Sequence, residues 1–387
     1  MNRLLKWAVV AIVAATLVAV SFGAGVVLGR LGVSSSASES APALESAVRE
    51  VHGILQDQAY EPSSDTSVAV GAIKGMLDSL DDPYAAYFDA SQFEVFDEQT
   101  RGEFYGIGVV ITTKEGIPTV VSVMSGTPAE KSGLKADDQI VSIDGMQKSE
   151  WDIDEVVSLI RGPEGTTVEL GIHRGEQELF TVTVTRAKIE TPNTESEMLD
   201  GSIGYVRLYT FNERSAESLR DEIERLESDG ARGVVLDLRD NPGGLLASSV
   251  DVVSLFVKDG FVVTVKDREG KEESHRATGE VATDLPLVVL INENSASASE
   301  IVAGALQDYG RAELVGVKSY GKGSVQTIDA LSFGGALKLT IARYFTPKGR
   351  SIDKVGLEPD VTVEMELADQ ADKGTDIQLR KAAELLR

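Results

Sequence analysis

Leu287-Val288-Val289-Leu290-Ile291-Asn292-Glu293-Asn294-Ser295-Ala296-Ser297-Ala298-Ser299-Glu300 is an unbroken aliphatic run, a polar turn and a serine cluster that opens a helical pattern reaching Gln307. Such a run bounded by turn residues predicts a strand buried on both faces of a parallel sheet. The helix after it puts Ser297 at or near a helix N-terminus, where free backbone N–H groups and the helix dipole suit a developing oxyanion. The N–H of Ala298 is the natural first donor. A second can come from Asn241-Pro242-Gly243-Gly244, after the strand-like stretch Gly233 to Leu238.

A serine attacks only when a base removes its proton. Lys322, in Tyr320-Gly321-Lys322-Gly323-Ser324, is the candidate base, provided burial holds its amine well below the ordinary value of about 10.4. The pair reads as a serine hydrolase that works without histidine. Two other readings compete locally. Ser297-Ala298-Ser299-Glu300 also fits the S-x-x-E capping box, which merely starts a helix, and Ser295 and Ser299 are rival nucleophiles that local chemistry does not rank. Gly316 to Lys322 satisfies the first seven positions of a phosphate-binding loop, but Gly323 stands where that motif needs a hydroxyl, and the strand-like Ser324 to Ile328 follows instead of a helix. Gln326, four positions beyond Lys322, is a candidate to orient the amine through its amide oxygen, although a surface glutamine is the commoner role.

The chain of 387 residues, 42 % hydrophobic, is long enough for two or three domains with real cores. Its 62 acidic against 37 basic residues, a net charge of −25, argue against nucleic acid as a ligand. That charge favours the ammonium form of Lys322, so a working base needs local apolar shielding. With no cysteine and only His52, His173 and His275, no thiolate site or close histidine pair for zinc can be drawn. Neither a metal nor a cofactor is expected.

Trp7 to Gly29 is uncharged, mostly apolar and long enough to span a bilayer, with Arg3 and Lys6 before it. The expectation is a single-pass membrane anchor over residues 1–32, or a cleaved signal as the alternative, with the catalytic part extracytoplasmic. Residues 33–43 read as a flexible linker, and 44–100 as an N-terminal helical region. Residues 101–186 carry short β-type runs around one helical stretch, Trp151 to Ile160, which predicts a half-open β-barrel. From 187 to 387, helical and strand patterns alternate as in βαβ units with a largely parallel sheet.

Five ordered segments, Leu80-Asp81-Asp82-Pro83-Tyr84-Ala85-Ala86-Tyr87, Phe104-Tyr105-Gly106-Ile107-Gly108, Asp237-Leu238-Arg239-Asp240-Asn241-Pro242-Gly243-Gly244, Ser295 to Glu300 and Gly321-Lys322-Gly323-Ser324-Val325-Gln326, resemble the carboxy-terminal processing (tail-specific) proteases. The resemblance implies an α/β fold, a ClpP/crotonase-like protease core with an inserted PDZ domain and an N-terminal helical segment. It implies Ser297 as nucleophile, Lys322 as general base and Gln326 as the orienting third member. Ala298 and one of Gly243 or Gly244 would be the oxyanion donors.

The stretch Ser132 to Gly145 resembles a PDZ domain, whose usual ligand is a peptide C-terminus. Tyr105, Gly106, Ile107 and Gly108 would then cradle the terminal carboxylate, and Val156 and Ile160 would line the apolar pocket. Arg161, ending that helix, is expected to couple peptide binding to domain position. The partners expected are protein substrates with apolar, unstructured C-termini, and the membrane through the N-terminal run. The apolar faces of Leu44 to Leu80 and Asp376 to Leu386 suit a homodimer or a cover for the core. The alternative function is a non-catalytic PDZ scaffold that retains the protease fold.

Overall fold

The computed structural model of the protein describes residues 41–114, 116–175, 179–365 and 375–387. Its first elements are α1 (Ala41–Gln58), α2 (Asp65–Asp78), β1 (Ala86–Phe88) and α3 (Ala90–Arg101). Ser64 caps α2 by accepting a hydrogen bond from the Ser67 N–H at 3.2 Å. Helix α1 keeps Leu44, Val48, Val51 and Leu55 exposed, and no residue of α2 is buried.

The chain divides into two compact units, one of Glu98–Pro192 and one of the segments before and after it. The first holds β2 (Glu103–Gly106), β3 (Val109–Lys114), β4 (Ile117–Val123), α4 (Pro128–Lys131), β5 (Gln139–Ile143), α5 (Ile153–Ile160), β6 (Thr167–His173), β7 (Phe180–Thr185) and β8 (Ala187–Glu190). Strands β3 to β7 form an antiparallel sheet in sequence order, and β2 pairs with β8. Period-two alternation in β6 buries Val168, Leu170 and Ile172 against Ile140, Ile143, Trp151, Val156 and Ile160.

The second unit continues with β9 (Thr194–Leu199), β10 (Ile203–Leu208), α6 (Ser215–Ser228), β11 (Gly233–Asp237), α7 (Leu246–Ser254), β12 (Phe261–Asp267), β13 (Glu272–Arg276), β14 (Leu287–Ile291), α8 (Ala298–Asp308), β15 (Ala312–Gly316), β16 (Ser324–Ala330), β17 (Ala336–Phe345), β18 (Val361–Thr362) and α9 (Ile377–Leu385). Its main sheet has the order β18-β15-β14-β11-β10-β9, parallel except for the edge strand β9. Every residue of β11 and β14 is buried, because both faces of the sheet are covered. Leu287, Val289 and Ile291 share a core with Leu219 of α6, Val250 of α7 and Val302 of α8, whereas Val288 and Leu290 face Leu379 and Ala382 of α9.

A second, antiparallel sheet of β1, β17, β12 and β13, with β16 beside β17, departs from the expectation of a largely parallel architecture. It takes β1 from a sequence position far upstream, pairing Ala86 with Lys338. Such pairings depend on distant chain segments and leave no local periodicity to read.

One expectation is corrected outright. Among the described residues no helix is long and apolar enough to cross a membrane, and Trp7 to Gly29 lie outside the described residues. The single-pass anchor and the extracytoplasmic placement that rested on it are withdrawn.

Helix α9 is fastened beneath β11 by a buried ion network. Arg239 donates to Asp237 at 2.6 Å and to Asp376 at 2.8 Å, both through Nη2, and to Gln378 at 3.0 Å through Nη1. Tyr205 donates to Asp237 at 2.8 Å. Burial alone would raise the Asp237 carboxyl, but the Arg239 and Arg207 guanidinium groups overcome it and hold the group at about 2. Arg239→Met leaves two carboxylates buried without their cation, so the protein should lose about 3 to 5 kcal/mol in chemical denaturation. Asp237's own contribution is complete above the unfolded aspartate value of about 3.9. It should be lost as pH falls through about 2.

Candidate active site

Ser297 sits at the turn between β14 and α8 with φ 54° and ψ −115°, a backbone conformation that costs a non-glycine residue about 1 to 3 kcal/mol. Neighbours hold it there. The Ser297 N–H donates to Glu300 Oε2 at 2.9 Å, and the Tyr344 hydroxyl donates to the Ser297 carbonyl at 3.1 Å. The glutamate half of the expected capping box therefore forms.

The neighbouring serines are committed elsewhere. Ser295 donates its hydroxyl to the Leu238 carbonyl and Ser299 to the Asn241 carbonyl, each at 2.8 Å, and neither has any exposed surface. These bonds tie the serine turn to the loop carrying Gly243 and Gly244.

That loop touches the turn so closely that a Cβ on Gly243 would lie 2.7 Å from the Ala296 oxygen and 2.8 Å from the Ser297 Cβ. The Gly243 N–H is used, donating to Asn241 Oδ1 at 2.9 Å. Among the described residues the N–H groups of Gly244 and Ala298 have no partner. Gly244 and Ala298 line one small pocket with Ser297, together with Leu246, Ile301, Val325, Gln326 and Tyr344.

Lys322 precedes β16 and is 2 % exposed. Its amine has no hydrogen-bond partner. Burial, aided by the charge of Lys338 and opposed by Glu300 and Asp82, brings the amine from 10.5 down to about 7. Gln326 is brought to the same pocket as Ser297, but its amide oxygen is also unpartnered, while its Nε2 donates to Ser324 Oγ at 2.8 Å and Thr340 Oγ1 at 3.3 Å. The expected bond from Lys322 to Gln326 is thus not made in this arrangement.

Sequence reasoning missed the residue that joins the two halves. Glu300 accepts not only from Ser297 but also from the N–H groups of Gly321 at 2.7 Å and Lys322 at 2.9 Å and from the Ser319 hydroxyl at 2.6 Å. Burial raises its pKa against the pull of these four donors. The S-x-x-E pattern announced one of these bonds and gave no sign of the others.

In the Glu98–Pro192 unit, Tyr105 and Gly106 end β2, and the N–H groups of Ile107 and Gly108 have no partner among the described residues. The Val156 and Ile160 side chains, expected to line the apolar pocket, are closed inside that unit's core, since every third or fourth residue of α5 faces inward, and the Ile107 side chain is buried in the same core. The partly exposed apolar residues of α5 are Ile153, Val157 and Leu159. Arg161 pairs with Glu98 and lies over the Phe104 ring at 5.0 Å. Among the described residues no group of three or more histidines, aspartates or glutamates is arranged to hold a metal ion.

The profile of Peptidase family S41 matches residues 202–363, a PDZ domain profile matches 119–174, and the Activating protease CtpB N-terminal domain matches 31–92. The chain is 36 % identical to the Carboxy-terminal processing protease CtpA of Bacillus subtilis, over 92 % of this chain and 76 % of that protein. It is 41 % identical to the Carboxy-terminal-processing protease of Bartonella bacilliformis, over 81 % of this chain and 74 % of that protein. Among solved structures, the photosystem II D1 C-terminal processing protease is 30 % identical and covers 89 % of this chain and 99 % of its own, with a TM-score of 0.51.

A buried amine held near 7 is a burden on the fold, because the unfolded chain keeps its proton up to about 10.4. Lys322→Met should therefore stabilise the protein by about 2 to 4 kcal/mol at neutral pH. The gain should shrink as denaturation curves are taken from pH 7 towards about 10.

Proposed function

The chain belongs to the carboxy-terminal processing proteases of peptidase family S41, serine proteases that carry a PDZ domain, and from that premise we propose that it cleaves proteins near their C-terminal tails through a Ser297–Lys322 dyad and an acyl-enzyme. The observation that carries this reading is the Lys322 amine, buried, without a partner and held at about 7, in a loop bonded to the Ser297 turn through one carboxylate. Near half of the amine is neutral at pH 7, which is the form a general base needs.

In the first step Lys322 Nζ takes the Ser297 hydroxyl proton as Oγ attacks the scissile carbonyl carbon. The oxyanion is received by the N–H groups of Ala298 and Gly244; Gly243 is set aside because its own N–H is already donated to Asn241. The ammonium of Lys322 gives its proton to the leaving amine as the scissile C–N bond breaks, so the C-terminal fragment departs with a new amino terminus and the N-terminal fragment stays as an ester on Ser297. Water, deprotonated by the same amine, then hydrolyses the ester and restores the serine. Gln326 Oε1, unsatisfied as the amine is, gains a partner when the ammonium forms. Leu246, Ile301, Val325 and the ring of Tyr344 suit a small apolar side chain beside the scissile bond.

The PDZ domain supplies selection. The unpartnered N–H groups at Ile107 and Gly108 suit a terminal carboxylate, and apolar tail residues suit the exposed edge of α5. Capture of the tail raises the local concentration of the adjoining chain at the dyad by effective molarity, without new contacts to the scissile bond.

Purified protein should degrade a loosely folded substrate with an apolar tail, and Ser297→Ala and Lys322→Ala should each lower kcat by about a thousandfold or more. Wild type inert both with and without added peptide would instead leave a peptide-binding scaffold. The pH dependence of kcat/KM should rise to a plateau with a midpoint at about 7. Gly243→Ala, which drives a methyl into the serine turn, should cost roughly a hundredfold in kcat while circular dichroism stays unchanged.

A further inference from the structure

The turn Asp82-Pro83-Tyr84 takes no part in the dyad, yet the Tyr84 ring lies over Lys322, with Nζ 4.7 Å from the ring centroid. Asp82 clips this turn in place. Its Oδ1 accepts from the Tyr84 N–H at 3.0 Å and its Oδ2 from the Thr340 N–H at 3.2 Å. Thr340 is the residue of β17 whose hydroxyl accepts from Gln326, so the clip lands on the strand flanking the base. Two residues beyond Tyr84, β1 begins and pairs Ala86 with Lys338, which fixes the turn a second time.

We propose that Tyr84 is a positioning residue for Lys322: its ring roofs the amine, excludes water from it and holds its head in place, so that the base is ready only while the Asp82-Pro83-Tyr84 turn is docked. The inference rests on the reading of Lys322 as the base. Two properties of the ring oppose each other. Its π face favours the ammonium form, while its bulk denies that form hydration. Burial is the largest cause of the amine's fall from 10.5 to about 7, and the ring at 4.7 Å is part of that cover; on this proposal exclusion outweighs attraction.

The charges around the amine come from every side. Lys338 on β17 pushes its pKa down, and Glu300 on α8 and Asp82 in the turn push it up. Tyr84 does not titrate in the working range, because burial, with Tyr320, Asp353 and Glu300 nearby, carries its hydroxyl up to about 12. It therefore acts as a neutral ring, and the hydroxyl is dispensable to the role.

The test is direct titration of Lys322 by NMR in protein carrying lysine labelled with 13C at Cε, in a Ser297→Ala background, with the signal assigned by its loss in Lys322→Arg. Tyr84→Phe should keep the midpoint near 7. Tyr84→Ala, which admits water, should raise it by about one unit or more. In the active enzyme, a rise of one unit means a loss of roughly fivefold in kcat/KM at pH 7 that disappears above about pH 9. Tyr84→Leu keeps bulk and removes the π face, so its midpoint should stay or fall, and it carries the test if the alanine variant does not fold. An unmoved midpoint in Tyr84→Ala, a rise in Tyr84→Leu, or an activity loss of equal size at every pH overturns the proposal. Activity surviving in Lys322→Ala would sink the dyad instead, and the NMR titration would still report what Tyr84 does to the amine.

Discussion

The Glu300 carboxylate is the joint that ties the Ser297 turn to the Lys322 loop. Ser297 and Lys322 lie on separate loops, one after β14 and one before β16, and nothing in chain connectivity fixes their distance. One buried carboxylate accepting from the Ser297, Gly321 and Lys322 N–H groups and from the Ser319 hydroxyl bonds the two loops to each other. An anion without water is costly by several kcal/mol, and only this full set of donors makes it tolerable. The hydrogen bonds that satisfy Glu300 are thus the same ones that hold the Ser297 and Lys322 loops together.

Behind that joint stands a sheet whose central strands are closed on both faces. A parallel strand ending in a turn and a helix presents its C-terminal end as a natural binding crevice. Here two such ends lie side by side, β11 leading to Gly243 and Gly244 and β14 leading to Ser297. The Ser295 and Ser299 hydroxyls stitch these adjacent turns together. The Arg239 network then fastens α9 against the root of the same β11 turn, so the loop carrying Gly243 and Gly244 is supported from below by the C-terminal helix.

The site costs the fold energy. Ser297's backbone takes about 1 to 3 kcal/mol, and keeping Lys322 at about 7 takes about 4 kcal/mol at neutral pH. Against a net stability of about 5 to 15 kcal/mol for a domain, these are large sums. They are sustained because the strain is confined to a few residues while the aliphatic core beneath is continuous from α6 to α8.

The sequence by itself determined the local events. The run Leu287 to Ile291 reads as a buried strand, Ser297 falls at or near the start of the helix, and the ordered motifs carried the family and its PDZ domain. A fully buried strand and a helix start are set by neighbours in the chain, so they were legible. What the tertiary structure alone decided is which serines spend their hydroxyls on the scaffold and why an amine in a chain of charge −25 sits at about 7. Those outcomes come from Leu238, Asn241 and Lys338, each well removed in sequence from the group it acts on. Desolvation and hydrogen-bond competition depend on what folding brings into contact, and no local pattern encodes that.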